Sequence, residues 1–181
     1  MNEHKNFELL YDAQTLAKAI KKMAQEIEAS YKPDDEIICV GILKGAFVFL
    51  ADLVRNFSRP VKVDFVQAVS YGRGTKSSGT VRLLKDIEID LSGKHILLID
   101  EMIDTGRTLL FLKNRFDTSK AESVKLVALF DKKECREVAV EADFVGIECP
   151  NQFLVGYGLD WAERFRELPE VYSVPPELTN S

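Results

Sequence analysis

Two histidines and three scattered cysteines (Cys39, Cys135, Cys149) are all that the chain offers of nitrogen and sulfur metal ligands. No C-x-x-C is present, so a zinc cluster is excluded. An odd cysteine count behind a polar start, Met1-Asn2-Glu3-His4-Lys5, lacks the marks of a secreted protein and predicts a cytoplasmic one. No run approaches the ~18 apolar residues of a membrane span. Basic residues are not in excess: 24 Lys and Arg face 29 Asp and Glu, a net charge of −5. Such a chain is poorly suited to gripping a nucleic-acid backbone over a broad face, so no nucleic-acid partner is expected. The common phosphate motifs are missing too. Gly93-Lys94 is the only Gly-Lys pair, and it lacks the upstream glycine and following hydroxyl of G-x-x-x-x-G-K-[ST]. No G-x-G-x-x-G occurs, which removes the dinucleotide-binding reading as well. There is no internal repeat and no low-complexity tract.

What remains is an ordinary globular balance of 46% apolar and 29% charged residues over 181 positions, enough for one domain spanning 1–181 with a real core. Asp12 can cap a helix whose Leu16, Ile20, Met23 and Ile27 recur at helical spacing. Lys32-Pro33-Asp34-Asp35 ends it. Ile37 to Leu43 is a short continuous apolar run, the pattern of a strand buried on both faces. A second helix is expected from Ala46 to Asn56, and a strand from Val61 to Val69. Ser70 to Thr80 reads as a long polar, electropositive, mobile loop, with Val81 to Leu84 returning antiparallel. After a turn at Ser92-Gly93-Lys94, His95 to Asp100 is a third buried strand. A helix from Gly106 carries Leu109, Leu112 and Phe116 inward. Val124 to Phe130 is a fourth core strand; Asp143 to Cys149 and Phe153 to Gly156 are shorter ones. Residues 174–181, opening with Val174-Pro175-Pro176, read as an exposed tail. Strands alternating with helices predict an α/β fold with a mostly parallel central sheet flanked by helices. In such sheets, ligands gather where strands end.

The most informative strand end is Ile99-Asp100-Glu101-Met102-Ile103-Asp104-Thr105-Gly106-Arg107-Thr108. Its plain reading is an acidic strand end followed by a helix capped by Asp104. The whole pattern says more. Thr105, Gly106, Arg107 and Thr108 set backbone N–H groups and two hydroxyls at a helix N-terminus, a ready phosphate cradle. Acids directly before it would repel a bare phosphate. They make sense facing sugar hydroxyls or a divalent cation on the same ligand. A ligand with a phosphate at one end and a diol beside it is a ribose 5-phosphate.

An apolar strand, two acids, two apolar residues and Asp-Thr-Gly-Arg-Thr resembles the phosphoribosyl-diphosphate signature of type I phosphoribosyltransferases. Leu43-Lys44-Gly45, Ser70-Tyr71, Lys132, Asp143-Phe144-Val145-Gly146, Phe153-Leu154-Val155-Gly156-Tyr157, Leu159-Asp160 and Phe165-Arg166 stand in the order and spacing of the hypoxanthine (hypoxanthine-guanine) branch of that family. The resemblance covers essentially the whole chain. One departure is the order Asp100-Glu101, where many members have Glu then Asp.

The resemblance implies a small hood over the sheet and a mobile lid at about 70–80. It also implies a non-proline cis peptide between Leu43 and Lys44. It makes Lys44 and Gly45 pyrophosphate-binding, with Arg166, and counts Ser70 and Tyr71 among the substrate-binding residues. Asp100 and Glu101 would hold the ribose and a Mg2+ ion, and Asp160 would hold a second. Asp104 would be the general base at N7 of the purine, and Thr105 to Thr108 would anchor the 5′-phosphate. Lys132 would donate to the 6-oxo group, Phe153 would stack on the base, and Leu154 would offer backbone groups to its edge. Taken alone, Lys44 and Lys132 also read as solvated lysines, Phe153 as core, Asp160 as a helix cap and Arg166 as a surface arginine. The expected reaction converts 5-phosphoribosyl 1-diphosphate and a 6-oxopurine into a nucleoside monophosphate and pyrophosphate, in a homodimer or homotetramer. Two alternatives stay open: a xanthine- or guanine-preferring transferase, and a non-enzymatic nucleotide-sensing regulator on the same fold.

Overall fold

Neighbouring residues of strand β2 (Ile37–Leu43) point to opposite faces of a sheet, and both faces are covered. Ile38, Val40 and Ile42 enter one core, Ile37 and Cys39 the other. Strand β5 (His95–Ile103) divides the same way, with Ile96 and Leu98 on one side and Leu97 and Ile99 on the other. This is why these runs are continuously apolar. Each fully buried Leu or Ile contributes roughly 1.5–3 kcal/mol relative to exposure.

The computed structural model describes residues 6–71 and 80–179. Helix α1 (Ala13–Ala29) starts as the sequence predicts: the Asp12 carboxylate accepts the Thr15 N–H at 2.7 Å, and Leu16, Ile20, Met23 and Ile27 are buried. With α2 (Phe47–Arg55) it covers one face of the sheet. Helix α3 (Arg107–Asp117) covers the other through Leu109, Leu112 and Phe116. The sheet is completed by β3 (Lys62–Tyr71), β4 (Thr80–Lys85), β6 (Ser123–Asp131) and β7 (Phe144–Glu148). Its order is β4-β3-β2-β5-β6-β7, all parallel except β4. The chain runs outward from β2 to β3, then returns to β5 on the other side of β2 and continues to β6 and β7. The junction of β2 and β5 is therefore the topological switch point, where the carboxyl ends of two neighbouring strands open a crevice.

Two expectations need correction. Ser70, Tyr71 and Thr80 are not loop: Ser70 pairs with Val81 and Tyr71 with Thr80 as β3 and β4 continue toward each other. Residues 72–79, most of the expected lid, lie outside the described residues. The segment from 174 is not a free tail. Val174 is only 3% exposed and closes strand β9 (Val171–Val174), after which Leu178 packs on the Val155–Phe165–Val174 cluster. Strand β9 lies between β1 (Glu8–Tyr11) and β8 (Phe153–Val155) in a separate antiparallel sheet, the hood. The short run of β8 was legible in the sequence, whereas the four-residue strands β1 and β9 carry too little periodicity to announce themselves. Among the described residues, no helix is long and apolar enough to cross a membrane.

Candidate active site

The β2 and β5 ends meet at the switch point through Gly45 and Glu101. A Cβ built on Gly45 would lie 1.7 Å from Glu101 Oε1, so only glycine lets the carboxylate rest against this turn. The Leu43–Lys44 peptide before it is cis, as the resemblance implies. Asp100 and Glu101 still belong to β5, and Asp100 Oδ1 accepts the Glu101 N–H at 3.0 Å. Burial raises the Asp100 carboxyl well above the ordinary carboxylate value, and the adjacent Glu101 charge raises it further. Burial raises Glu101 too. Glu101 Oε2 is buried and has no hydrogen-bond partner among the described residues. A buried, unpartnered carboxylate oxygen is costly, and a cation would relieve it.

A second wall comes from residues 157–166. Gly158 faces the Gly45 carbonyl so closely that a Cβ would sit 2.1 Å from that oxygen. Tyr157, Ala162, Glu163 and Phe165 all have positive φ, a concentration of left-handed backbone at non-glycine residues that clusters at functional sites. Arg166 donates to the Gly158 carbonyl at 2.8 Å and pairs with Asp160 at 2.9 Å. Asp160 caps no helix: its other oxygen accepts the Glu163 N–H at 2.9 Å within the turn. Glu163 bridges Lys44 Nζ at 3.0 Å and Arg166 at 3.2 Å, so the two expected pyrophosphate-binding cations share one carboxylate. The Lys44 contact, then Arg166, lowers its pKa. Nothing in the sequence pattern singles out Glu163, because Lys44 is 119 positions away.

The third wall is the segment after β5. Its plain reading fails: α3 is capped by Gly106 at φ 83°, without a side-chain bond, and not by Asp104. Asp104 is exposed on the loop. Thr105 Oγ1 accepts the Arg107 N–H at 3.4 Å, Thr108 stands in the first turn, and that turn holds no acidic residue. An anion would meet an unopposed helix N-terminus there. Arg107 reaches sideways instead, pairing with Glu137 at 2.6 Å.

The fourth element is the end of β6. Lys132 is 7% exposed, far from the solvated lysine of its plain reading, and no carboxylate of the described residues pairs with it. Beside it burial pushes the Cys149 thiol up to about 11. Burial also raises Cys135, and the neighbouring Asp104 carboxylate adds to that rise. Both shifts favour the neutral thiol beside Lys132. Phe153 is not core: it is 43% exposed at the edge of the hood, while Leu154 beside it is buried. Ser70 and Tyr71 are the last two residues of β3. No group of three or more metal-ligating side chains is preassembled among the described residues, so Asp160 does not join Asp100 and Glu101 in one cluster. A cavity of about 770 Å3 lies away from the acids, between α1, α2 and residues 166–169.

Residues 7–161 match the phosphoribosyl transferase domain family. The chain is 49% identical over 170 residues to the hypoxanthine-guanine phosphoribosyltransferase of Aquifex aeolicus, covering 94% of this chain and 96% of that one. It is 39% identical over 181 residues to the Bacillus subtilis protein of the same name, covering all of both chains. The crystal structure of a Staphylococcus aureus hypoxanthine phosphoribosyltransferase superposes with a TM-score of 0.92 at 33% identity, over 98% of each chain. Fold, switch-point crevice and these relatives agree: the chain belongs to the type I phosphoribosyltransferases, in their hypoxanthine-guanine branch.

Proposed function

We propose that this chain transfers the phosphoribosyl group of 5-phosphoribosyl 1-diphosphate to a 6-oxopurine, giving IMP or GMP and pyrophosphate in purine salvage. The observation that carries the reading is the convergence at one sheet edge of a buried acid pair with an orphaned oxygen and an unopposed helix N-terminus. These are the complements of a ribose diol with its cation and of a 5′-phosphate. Curated relatives bearing the hypoxanthine-guanine name support the choice of base.

Enzymes of this family generally use Mg2+, and the residues fit it: hard carboxylate oxygens, one of them unsatisfied, suit an oxygen-seeking cation. Asp100 and Glu101 would hold it with the ribose hydroxyls, and Asp160 would hold a second ion. When bound, the metal neutralises the diphosphate leaving group. The chain's own residues do the rest. Thr105 to Thr108 anchor the 5′-phosphate and set the sugar in place. Lys44, the Gly45 backbone and Arg166 receive the pyrophosphate. Asp104 takes the N7 proton as the base attacks C1′. Lys132 donates to the 6-oxo group, Leu154 presents its backbone to the base edge, and the exposed Phe153 ring stacks on the purine. Alignment and electrostatics supply most of the rate.

The enzyme acts as one domain, as a cytoplasmic homodimer or homotetramer that needs no nucleic acid. The test is pyrophosphate release with hypoxanthine, guanine, xanthine and adenine in turn. Turnover of hypoxanthine and guanine is expected. Preference for xanthine would move the assignment to the xanthine branch, and no release with any base would leave only a nucleotide-binding regulator.

A further inference from the structure

Three consecutive carbonyls at the end of β5 are held by one short segment after β6. Ile103 O accepts the Lys132 N–H at 3.0 Å, Asp104 O accepts Arg136 Nη1 at 2.5 Å, and Thr105 O accepts the Glu137 N–H at 3.0 Å. The outer two bonds are main-chain to main-chain. The middle one, at the proposed base, comes from a side chain. That guanidinium is forked: its Nη2 bonds the carboxylate of Asp131, which is only 4% exposed. Asp131 is the last residue of β6 and directly precedes Lys132. The stem of Arg136 packs on Gly106, where a Cβ would lie 3.0 Å from Arg136 Cδ.

We propose that Arg136 is a positioning residue that sets Asp104 relative to Lys132 by bonding the Asp104 carbonyl with one arm and Asp131 with the other. The chemistry explains the need. O6 and N7 lie side by side on one edge of a purine. The group that receives the N7 proton and the group that donates to O6 must therefore keep a fixed separation. They stand on different strand ends, and Arg136 ties those ends together through two acceptors. The planar fork points two N–H groups at the two acceptors with fixed spacing and direction, whereas a lysine ammonium must reach both from one nitrogen on a shorter, flexible stem. The inference rests on the roles proposed for Asp104 and Lys132.

The experiment compares wild type, Arg136→Lys, Arg136→Met and Asp104→Asn by single-turnover phosphoribosyl transfer to hypoxanthine. Each rate is normalised to the number of sites that bind 5-phosphoribosyl 1-diphosphate with Mg2+. Arg136→Lys keeps the charge pair with Asp131. It should melt close to wild type and bind 5-phosphoribosyl 1-diphosphate within about threefold. Its transfer rate per site should nevertheless fall roughly 10–100-fold, the scale of an ångström misplacement of a reacting group. A merely structural arginine would lower site number or melting temperature and leave the rate per site alone. Wild-type rate per site in Arg136→Lys overturns the proposal even if Arg136→Met fails to fold. So does a loss in both variants that missing sites fully explain. If Asp104→Asn itself transfers at wild-type speed, the base assignment falls and this inference with it. A slow Asp104→Asn beside a normal Arg136→Lys removes this inference alone.

Discussion

The carboxylate of Glu101 and the Cα of Gly45 are in direct contact: Glu101 Oε1 occupies nearly the place a Gly45 side chain would need, 1.7 Å from a Cβ there. The acid pair on β5 and the turn after β2 are therefore one unit. Gly45→Ala must push the Glu101 carboxylate out of the position proposed for the ribose and its metal. Overpacking of this kind costs about 1–3 kcal/mol in stability. The larger expected effect is a fall in kcat/KM for 5-phosphoribosyl 1-diphosphate of roughly 100-fold. Steady-state kinetics beside thermal melting check both, and an unchanged KM and kcat would deny the acid pair its substrate role.

Asp104 holds no helix cap, since Gly106 occupies that place. Asp104→Asn should leave the melting temperature within about 1–2 °C, because Asp104 is exposed and asparagine keeps the main-chain carbonyl that Arg136 holds. It should lower kcat by roughly 10²–10⁴-fold if Asp104 is the general base. A variant that melts early and turns over normally would reverse the assignment.

Lys132 is a buried cation with no carboxylate partner among the described residues. Lys132→Met fills similar space without the charge, so the melting temperature should hold or rise. Hypoxanthine turnover should be lost. In the wild type, adenine would set an amino donor against the lysine, leaving a buried charged group unpaired at a cost of ~2–3 kcal/mol, so adenine should be disfavoured at least ~30-fold. Comparable use of adenine and hypoxanthine would refute this pocket.

Asp64 gives the pH prediction. Burial works to raise its carboxyl, but the N–H groups of Glu88, Phe65 and Ile89 and the Lys85 ammonium outweigh it and hold the pKa below the ordinary value. A depressed acid stabilises the fold above its unfolded pKa, about 3.9, and that stability is lost as pH falls through the folded value. Asp64→Ala should cost about 1–3 kcal/mol near pH 7, the price of unsatisfied donors. The difference from wild type should shrink below about pH 4. Urea unfolding at several pH values measures it, and a pH-independent difference would mean the charge plays no part.

The part of this protein that is written in local order was legible from the sequence. The apolar runs of β2, β5 and β6 and the stripe of α1 follow from periodicity, because a buried strand or helix face needs apolar side chains at fixed spacing. The run from Asp100 to Thr108 carried strand end, acids and helix start in one reading, and the resemblance singled out Lys44, Lys132 and Arg166. Tertiary structure alone decided what these residues meet. Hood strands β1 and β9 pair from opposite ends of the chain, and short strands are stabilised by partners rather than by propensity. Burial of Lys132, the Glu163 bridge between Lys44 and Arg166, and the Arg136 fork on Asp104 join residues distant in sequence. Local patterns record which face of an element is covered. Which charge lies across a crevice is set by how the sheet twists its strand ends together, and no spacing along the chain encodes that.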